Sequence, residues 1–320
     1  MSFIEVKDLK VHYPIRGGFF NKVIDYVYAV DGVNFTIEKG KTYGLVGESG
    51  SGKSTIGKAI IGLEKIKSGK IIYEGKEIDG KFRNRRSEYN RNVQMIFQDS
   101  LSSLNPKKRV IDLISEPLRN FENLTSDEEK RKVSELLEIV GMNREDIYKY
   151  PHEFSGGQRQ RLGIARAVAT KPKLIIADEP VSALDLSVQA QVLNYMKDIQ
   201  EQFGLSYLFI SHDLGVVKHM CDYMFIMYRG RFVETGTKND IYKNPEHFYT
   251  KRLIAAIPEV HPEKRLENKK RRIEIEKKYL KNEKKYYDEN GRVFDLKKLT
   301  DTHFVAIKDE IMQNNGKGGK

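Results

Sequence analysis

The chain has 320 residues, of which 32% are charged and 39% hydrophobic, and its mean hydropathy is −0.57. No stretch approaches the ~18 apolar residues of a membrane-spanning helix, and the N-terminus MSFIEVKDLK lacks an apolar signal segment, so we expect neither a membrane-spanning nor a secreted protein. The single cysteine, Cys221, excludes an internal disulfide and a cysteine-ligated cluster. The net charge of +11 is compatible with a nucleic-acid partner, a membrane surface or a basic tail.

Strand-like and helix-like segments alternate through residues 1–258. The alternating pattern of FIEVKDLKVHY predicts a strand ending at Tyr13, and the stretch from Tyr28 to Ile37 predicts a second. KTYGLVG predicts a buried strand that runs into a glycine-rich turn and a helix, roughly Lys53 to Leu63. Further strands are predicted at IIYEG, VQMIF, KLIIAD and SYLFISH, and a hairpin at DYMFIMYRGRFVETG. This order predicts an α/β fold with a parallel sheet covered on both faces, and a helical subdomain at about 99–168.

The last fifth of the chain has a different composition. Residues 259–320 carry 17 Lys and Arg against 12 Asp and Glu, an excess of 5, so nearly half of the net charge lies there. We predict a charged C-terminal extension over 259–320, with a charged helix at 263–285 and disorder in the final NNGKGGK. A basic strip near anionic lipid is the alternative interpretation of the helix. No basic patch interleaved with aromatic residues indicates a nucleic-acid partner.

A complete phosphate-binding motif follows the strand KTYGLV. The motif G-x-x-x-x-G-K-[ST] is matched by Gly47, Glu48, Ser49, Gly50, Ser51, Gly52, Lys53 and Ser54, and Thr55 continues the predicted nucleotide-binding set. Glycines allow backbone N–H groups to converge on phosphate oxygens, and a helix N-terminus adds partial positive charge there. Lys53 is expected to reach the β- and γ-phosphates of a bound nucleotide, and the Ser54 hydroxyl to ligate Mg²⁺. By itself the motif predicts only a nucleotide site.

Two carboxylates end the apolar strand Leu174 to Asp178. Because parallel strands present their carboxyl ends at one edge of a sheet, Asp178 is expected to hold the Mg²⁺ shell near the phosphates. The next residue, Glu179, is expected to polarise the attacking water. An isolated acid pair at a strand end is usually just solvated, so the interpretation depends on the preceding phosphate motif.

Phe154-Ser155-Gly156-Gly157-Gln158 resembles the LSGGQ signature of ATP-binding-cassette (ABC) ATPases, with Phe in place of Leu. Other family elements follow over residues 1–258: Gln98 resembles the Q-loop glutamine, Asp185 lies in a D-loop-like SALD, and His212 resembles the switch histidine. Tyr13 is the candidate that stacks on adenine, and Tyr26 and Tyr28 compete for that role.

The resemblance implies a fold, a site and a reaction. The fold is a P-loop NTPase with a RecA-like parallel-sheet core, an antiparallel β subdomain and a helical subdomain. The substrate is ATP with Mg²⁺. Glu179, His212 and Gln98 would be catalytic, and Ser54, Gln98 and Asp178 would hold the metal. The signature residues Ser155, Gly156, Gly157 and Gln158 would serve the nucleotide of a partner subunit.

Longer stretches resemble the ATPase subunits of peptide and nickel importers, most closely the F-type subunit of oligopeptide permeases. They are QMIFQDSLSSLNP, YPHEFSGGQRQR, DEPVSALDLSVQAQVLN and NPEHFYTKRLIAAIP, where Phe248 replaces the family's usual proline. The resemblance implies a D-type ATPase partner in a heterodimer, two membrane-spanning permease subunits and an extracytoplasmic substrate-binding protein. It places the chain peripherally at the cytoplasmic face of the membrane.

The predicted function is therefore ATP hydrolysis that energises the import of oligopeptides. An importer for nickel or another small solute is the alternative, because the transported substrate does not touch this subunit. A soluble ABC ATPase of translation or repair, a non-hydrolytic regulator and a homodimer are further alternatives. The presence of Lys53, Glu179 and His212 disfavours the regulator.

Overall fold

The computed structural model describes residues 2–78, 87–99, 103–257 and 265–308. The strands are β1 (Ser2–Gly17), β2 (Lys22–Glu38), β3 (Thr42–Val46), β4 (Ser68–Tyr73), β5 (Lys76–Glu77), β6 (Val93–Ile96), β7 (Leu174–Asp178), β8 (Ser206–Ser211), β9 (Tyr223–Tyr228), β10 (Arg231–Thr237), β11 (Leu296–Lys298) and β12 (Phe304–Ala306). The α-helices are α1 (Lys53–Ile60), α2 (Glu88–Asn92), α3 (Val110–Phe121), α4 (Ser126–Ile139), α5 (Gly156–Val168), α6 (Leu186–Phe203), α7 (Leu214–Met220), α8 (Lys238–Lys243), α9 (Phe248–Ala256) and α10 (Arg265–Asn282). Short 3₁₀ turns occupy Arg144–Tyr148, Pro151–Glu153 and Glu283–Lys285.

Two sheets organise these elements. The smaller sheet is antiparallel, with strand order β2-β1-β4-β5. The larger has the order β11-β12-β10-β9-β3-β8-β7-β6, and β9, β3, β8, β7 and β6 run parallel to their neighbours within this set. The predicted α/β class, with a parallel core and an antiparallel β sheet, is confirmed. The carboxyl ends of β3, β6, β7 and β8 open at one edge, as the rule for parallel strands requires.

The core sheet is buried on both faces. Along β8, Tyr207 and Phe209 pack into one apolar cluster, while Leu208 and Ile210 pack into the other. Strands β3, β7 and β8 are buried at every position, which explains their continuous apolar runs. The first cluster also contains residues of α3, α4, α5 and α6, and the second contains residues of β1, β2 and α1.

The helices between β6 and β7 lie within the range 99–168 that the sequence assigns to a helical subdomain. A capping box begins α4, since the Thr125 hydroxyl accepts from Glu128 N and the Glu128 carboxylate accepts from Thr125 N. No helix in the described parts of the chain combines the length and apolar character that crossing a bilayer requires.

The first two strands are longer than the sequence pattern indicates. The predicted strands stop at Tyr13 and resume at Tyr28, whereas β1 and β2 pair, with several shifts of register, as far as Gly17 and Lys22. The outer half of this hairpin has little buried surface, so the apolar and polar alternation that marks a strand is missing. Gly18, at φ 74°, supplies the left-handed conformation of the tight turn.

The C-terminal extension contributes to the core sheet, which the sequence does not indicate. The predicted charged helix at 263–285 is observed as α10. Beyond it, β12 pairs with β10, with Val305 opposite Glu234 and Phe304 opposite Thr235, and β11 pairs with β12. These strands cover an edge that β10 would otherwise expose. The predicted boundary at 258/259 and the predicted disorder at 314–320 lie outside the described residues.

A buried carboxylate connects the extension to the core. Glu234 of β10 is fully buried and accepts hydrogen bonds from the backbone N–H groups of Glu246 (2.7 Å) and His247 (3.0 Å). His303, which precedes β12, places Nε2 2.7 Å from the Glu234 carboxylate. This hydrogen bond raises the pKa of His303, and the nearby carboxylates of Asp240 and Glu246 act in the same direction.

We expect the His303→Leu substitution to lower the free energy of unfolding by about 1.5–3 kcal/mol at pH 6, because a hydrogen bond to a charged group is lost. A histidine whose pKa is raised by folding stabilises fully below its unfolded pKa of about 6.5 and loses this contribution as the pH rises through the folded value. The measurement is denaturant unfolding across pH 5.5–9. The difference between wild type and variant should shrink as the pH rises, and a difference independent of pH would contradict a charged pair.

Candidate nucleotide site

The phosphate motif forms a loop between β3 and α1 that only glycine can build at two positions. A Cβ on Gly47 would lie 2.2 Å from the Met227 carbonyl oxygen, and one on Gly52 would lie 1.9 Å from that of Ala29. Gly52 also adopts φ 106°, outside the range that other residues readily occupy. The loop therefore passes in close contact with the backbones of both β2 and β9.

Hydrogen bonds fix the loop from three sides. The Glu48 N–H donates to the Tyr249 hydroxyl oxygen at 2.9 Å. The Lys53 ammonium donates to the Glu48 carbonyl oxygen at 2.8 Å, which folds this side chain across the loop. The Ser51 carbonyl oxygen accepts from the Gly230 N–H at 3.0 Å. The loop is thus tied to α9, to its own helix and to the turn between β9 and β10.

An oxygen pair lies where α1 meets the end of β7. The Ser54 hydroxyl donates to Asp178 Oδ1 at 2.8 Å. Burial raises the pKa of Asp178, and the Ser54 hydrogen bond opposes this effect. Burial also lowers the pKa of Lys53, against the attraction of Glu179, Asp178 and Glu48. Hydroxyl and carboxylate oxygens are hard donors of the kind that Mg²⁺ prefers, so the pair fits a magnesium site.

Glu179 is held at the same edge by both its backbone and its side chain. Its φ of 46° is unusual for a residue other than glycine, and its N–H donates to the Ile210 carbonyl oxygen at 2.9 Å. Gln98 Nε2 donates to Glu179 Oε2 at 2.8 Å, and His212 Nδ1 lies 3.1 Å from Glu179 Oε1. The structure therefore brings the three predicted catalytic residues into direct contact.

These residues share one open cleft of about 610 Å³. Its wall combines the loop with the ends of the parallel strands, which is where the sequence predicts the nucleotide. The lining residues are Ala29, Glu48, Ser49, Gly50, Gly52, Lys53, Ser54, Thr55, Gln98, Glu179, His212 and Leu253.

Of the three candidate adenine-stacking tyrosines, Tyr13 lies on one face of the β1–β2 hairpin, and Tyr26 and Tyr28 share the other. Tyr13 is within hydrogen-bond reach of Glu64 and Thr55, and its pKa is raised chiefly by burial and also by the Glu64 hydrogen bond. Tyr28 instead packs on His12, with ring centroids 4.6 Å apart, and Tyr26 lies 6.5 Å from the same ring. Tyr13 is therefore the candidate that adjoins the first turn of α1.

The signature-like residues are not among those that line the cleft. Ser155 caps α5, with its hydroxyl accepting from Gln158 N and its N–H donating to Gln158 Oε1 at 2.9 Å. Ser155 and Gly156 are exposed, whereas Gly157 is buried, where a Cβ would lie 2.5 Å from Val188. Asp185 is exposed at the start of α6. Ser155, Gly156 and Asp185 are thus exposed outside the cleft, and the helix that Ser155 caps begins there.

Sequence reasoning missed two residues that belong to the site. Leu253 lines the cleft, and Tyr249 binds the loop at Glu48 N. Both lie on α9, in the stretch NPEHFYTKRLIAAIP, which the sequence marks only through a resemblance. No local pattern indicates that this helix packs against a loop two hundred residues earlier.

Family comparisons agree with this geometry. A family model described as "ABC transporter" matches residues 30–182, which include the phosphate loop, both carboxylates and the signature-like motif. A second, described as "Oligopeptide/dipeptide transporter, C-terminal region", matches residues 233–289. The second match begins in β10 and includes α9 and α10.

Two curated relatives are similar over most of their length. The oligopeptide transport ATP-binding protein OppF of Lactococcus lactis subsp. lactis is 56% identical over 306 residues, 96% of each chain. The dipeptide transport ATP-binding protein DppF of Escherichia coli K12 is 45% identical and covers 82% of this chain and 79% of its own. A solved dimeric ATP-binding cassette in a post-hydrolysis state has a TM-score of 0.64 at 24% identity, covering 73% of this chain and 98% of its own, and supports the fold.

We expect Gly52→Ala to abolish nucleotide binding and to cost about 3 kcal/mol or more of stability, since strained backbone adds to overlap with the Ala29 carbonyl. Gly50→Ala is the matched control, because Gly50 also has a positive φ of 79° but its Cβ would meet nothing within 4 Å. The control variant should lose only about 1–2 kcal/mol of its free energy of unfolding. Denaturant unfolding and titration with a fluorescent ATP analogue measure both effects. Equal losses in the two variants would show that close approach is not the constraint.

Proposed function

The chain belongs to the ABC transporter family of ATP-binding proteins, and we propose that it is the ATP-hydrolysing subunit that energises import of oligopeptides through a membrane permease. The observation that carries the proposal is that Lys53, Ser54 and Glu179 line one cleft, with Asp178 hydrogen-bonded to Ser54 beside it. The peptide substrate is supported by the C-terminal match over residues 233–289 and by the names of the relatives. The same match favours peptides over nickel.

ATP enters the cleft with its phosphates at the N-terminus of α1. The backbone N–H groups of the loop and the helix dipole both favour the negative charge. Lys53 adds a full charge beside the β- and γ-phosphates. Tyr13, next to Thr55 on the side of the first turn of α1, stacks on the adenine ring. The phosphate and adenine contacts thus come from the two different sheets.

Oxygen donors from three elements would hold Mg²⁺. Ser54 Oγ, an Asp178 carboxylate oxygen and the Gln98 amide oxygen are the donors that the site offers. When bound, the ion neutralises charge on the phosphate oxygens and fixes their orientation. Asp178 is suited to this role because burial makes its isolated charge unfavourable, so that an adjacent cation stabilises it.

Glu179 accepts the proton of the attacking water. Gln98 and His212 each contact one of its carboxylate oxygens, and each oxygen keeps a further lone pair that can accept from a water. His212 is about half exposed and is free to turn toward the γ-phosphate. Exchange of these contacts would couple nucleotide binding to activation of the carboxylate.

The signature surface serves a second subunit. Ser155 starts a helix whose exposed N-terminus lies outside this chain's own cleft, so it can reach a γ-phosphate only in a facing molecule. The assembly is a heterodimer with a D-type ATPase, bound peripherally to two permease subunits at the cytoplasmic face and supplied by an extracytoplasmic binding protein. Closure of the two ATPases around ATP performs the mechanical step.

Glu179→Gln should retain ATP affinity and lower kcat of the assembled transporter by about 10²–10⁴-fold, because the amide cannot accept the water's proton. Turnover is measured as phosphate release, and affinity as the Kd for ATP with Mg²⁺. Lys53→Ala is the reference variant, which should lose affinity as well as turnover. A Glu179→Gln transporter that hydrolyses ATP at the wild-type rate would show that this carboxylate is not the base.

Ser155→Arg should block hydrolysis at the partner's site through bulk and misplaced charge, while ATP binding at this chain's own loop stays within about twofold. Occlusion of nucleotide is measured separately at each site of the assembled complex. If nucleotide occlusion is lost at this chain's own site and retained at the partner's site, the trans arrangement is contradicted. Full activity of the wild-type chain alone would contradict the need for a partner.

A further inference from the structure

Tyr249 connects the phosphate loop to the C-terminal extension. Its side chain is only 1% exposed, and its hydroxyl accepts the Glu48 N–H at 2.9 Å. The N-terminus of α9 is itself fixed, since His247 Nδ1 accepts from the Tyr249 N–H at 3.1 Å. Burial lowers the pKa of His247 to about 3, so its ring is neutral and Nδ1 is available as an acceptor. The backbone and the hydroxyl of Tyr249 are thus both held.

The extension packs around the same helix. Tyr279 of α10 stacks on Phe248, with ring centroids 4.2 Å apart and planes inclined by 15°. Glu276 of α10 pairs with Arg252 at 3.1 Å, one turn further along α9. Arg272 donates to the Ala256 carbonyl oxygen at 3.0 Å and so satisfies the last turn of α9.

A second aromatic route reaches Tyr249 from the side of the core sheet. Tyr228, the last residue of β9, lies 4.6 Å from the Tyr249 ring and 5.7 Å from the ring of Tyr287 in the extension. The ring centroids of Tyr286 and His247 are 4.6 Å apart. The rings of residues 279–287 therefore pack on the neighbours of Tyr249, namely Tyr228, His247 and Phe248.

We propose that Tyr249 is a positioning residue of the nucleotide site: it presets the phosphate loop through the Glu48 N–H, and the extension holds it in place through α9. The inference rests on the proposed function, because it assigns a role toward bound ATP. It gives the charged C-terminal extension a role in nucleotide binding. Tyr249 is not among the residues that line the cleft, and it acts only through the loop.

The physical reason is preorganisation. A loop whose N–H groups already converge binds phosphate without an ordering cost at the moment of binding. Tyr249→Phe preserves the ring and its packing but removes the acceptor of the Glu48 N–H, so the hydrogen bond that holds the loop to α9 is lost. The loop then relaxes toward other conformations, and ATP must restore the competent one.

The test is ATP binding to the full chain. In Tyr249→Phe we expect the Kd for ATP with Mg²⁺ to rise about five- to twentyfold and amide hydrogen exchange at Glu48 to accelerate by a similar factor. In the assembled transporter the change should fall on KM for ATP rather than on kcat. An unchanged Kd together with unchanged exchange at Glu48 would overturn the proposal.

Tyr207→Phe is the matched control. Tyr207 is equally buried in the same apolar cluster, and its hydroxyl also bonds to the backbone, donating to the Met196 carbonyl oxygen at 3.1 Å. Its loss should lower thermal stability without changing the Kd. If both variants raised the Kd equally, the effect of Tyr249 would be general loosening, and the positioning role would fall.

The contribution of the extension is tested in α10. Tyr279→Ala should raise the Kd two- to fivefold, whereas Glu274→Gln, which removes an exposed Glu274–Lys278 pair on the same helix, should not. An unchanged Kd in Tyr279→Ala would overturn the link to the extension. Lys53→Ala separates the two proposals. If the Lys53→Ala variant binds ATP normally, the proposed function fails. If Lys53→Ala loses ATP binding while Tyr249→Phe and Tyr279→Ala keep the wild-type Kd, only the positioning role fails.

Discussion

The phosphate loop is confined between two backbone carbonyls, and much of the molecule depends on that confinement. One carbonyl belongs to Ala29 of the antiparallel sheet and the other to Met227 of the core sheet, and Gly52 and Gly47 approach them too closely for any side chain. The two sheets must therefore be assembled before the loop can take its shape. This explains why a site built from short local motifs requires most of the chain, from β2 to β9, to be folded.

The confinement also sets the electrostatics of the cleft. Burial pushes Lys53 and Asp178 toward their neutral forms from opposite directions, lowering the pKa of one and raising that of the other. A phosphate oxygen beside Lys53 or a cation beside Asp178 opposes these effects, so ATP and Mg²⁺ each stabilise a charge that the protein alone disfavours. Glu179 is less buried and keeps both oxygens in hydrogen-bond reach of movable side chains. The binding and catalytic carboxylates are thus adjacent in sequence and different in environment.

Much of this site could be predicted from the sequence because it consists of strand ends. The phosphate motif, Asp178 and Glu179 each follow an apolar strand, and parallel strands bring their carboxyl ends together by geometry alone. The direct contacts of Gln98 and His212 with Glu179 could not be predicted in this way, because they depend on loop conformation and side-chain rotamers. The same holds for Tyr249, whose partner Glu48 lies 201 residues away in sequence. The outer part of the β1–β2 hairpin escaped prediction because it has no buried face to impose alternation.

The packing of the extension on the core was not predicted, because the many charged residues around its few packing residues obscure any apolar pattern. Residues 259–320 carry 17 Lys and Arg against 12 Asp and Glu, and this pattern predicts a solvated helix with a disordered end. Among its described side chains, the rings of Tyr279, Tyr286 and Tyr287 and the buried imidazole of His303 attach it, together with the Glu276–Arg252 pair and the pairing of β12 with β10. Aromatic rings bury a large area per residue, so a small number can dock a segment whose mean hydropathy is low. These rings contact α9 or the residues just before it, and His303 binds Glu234, which accepts hydrogen bonds from the backbone that leads into α9. The extension is therefore attached to the same helix that holds the phosphate loop. The position of its packing residues, rather than its charge, therefore determines what the extension can influence.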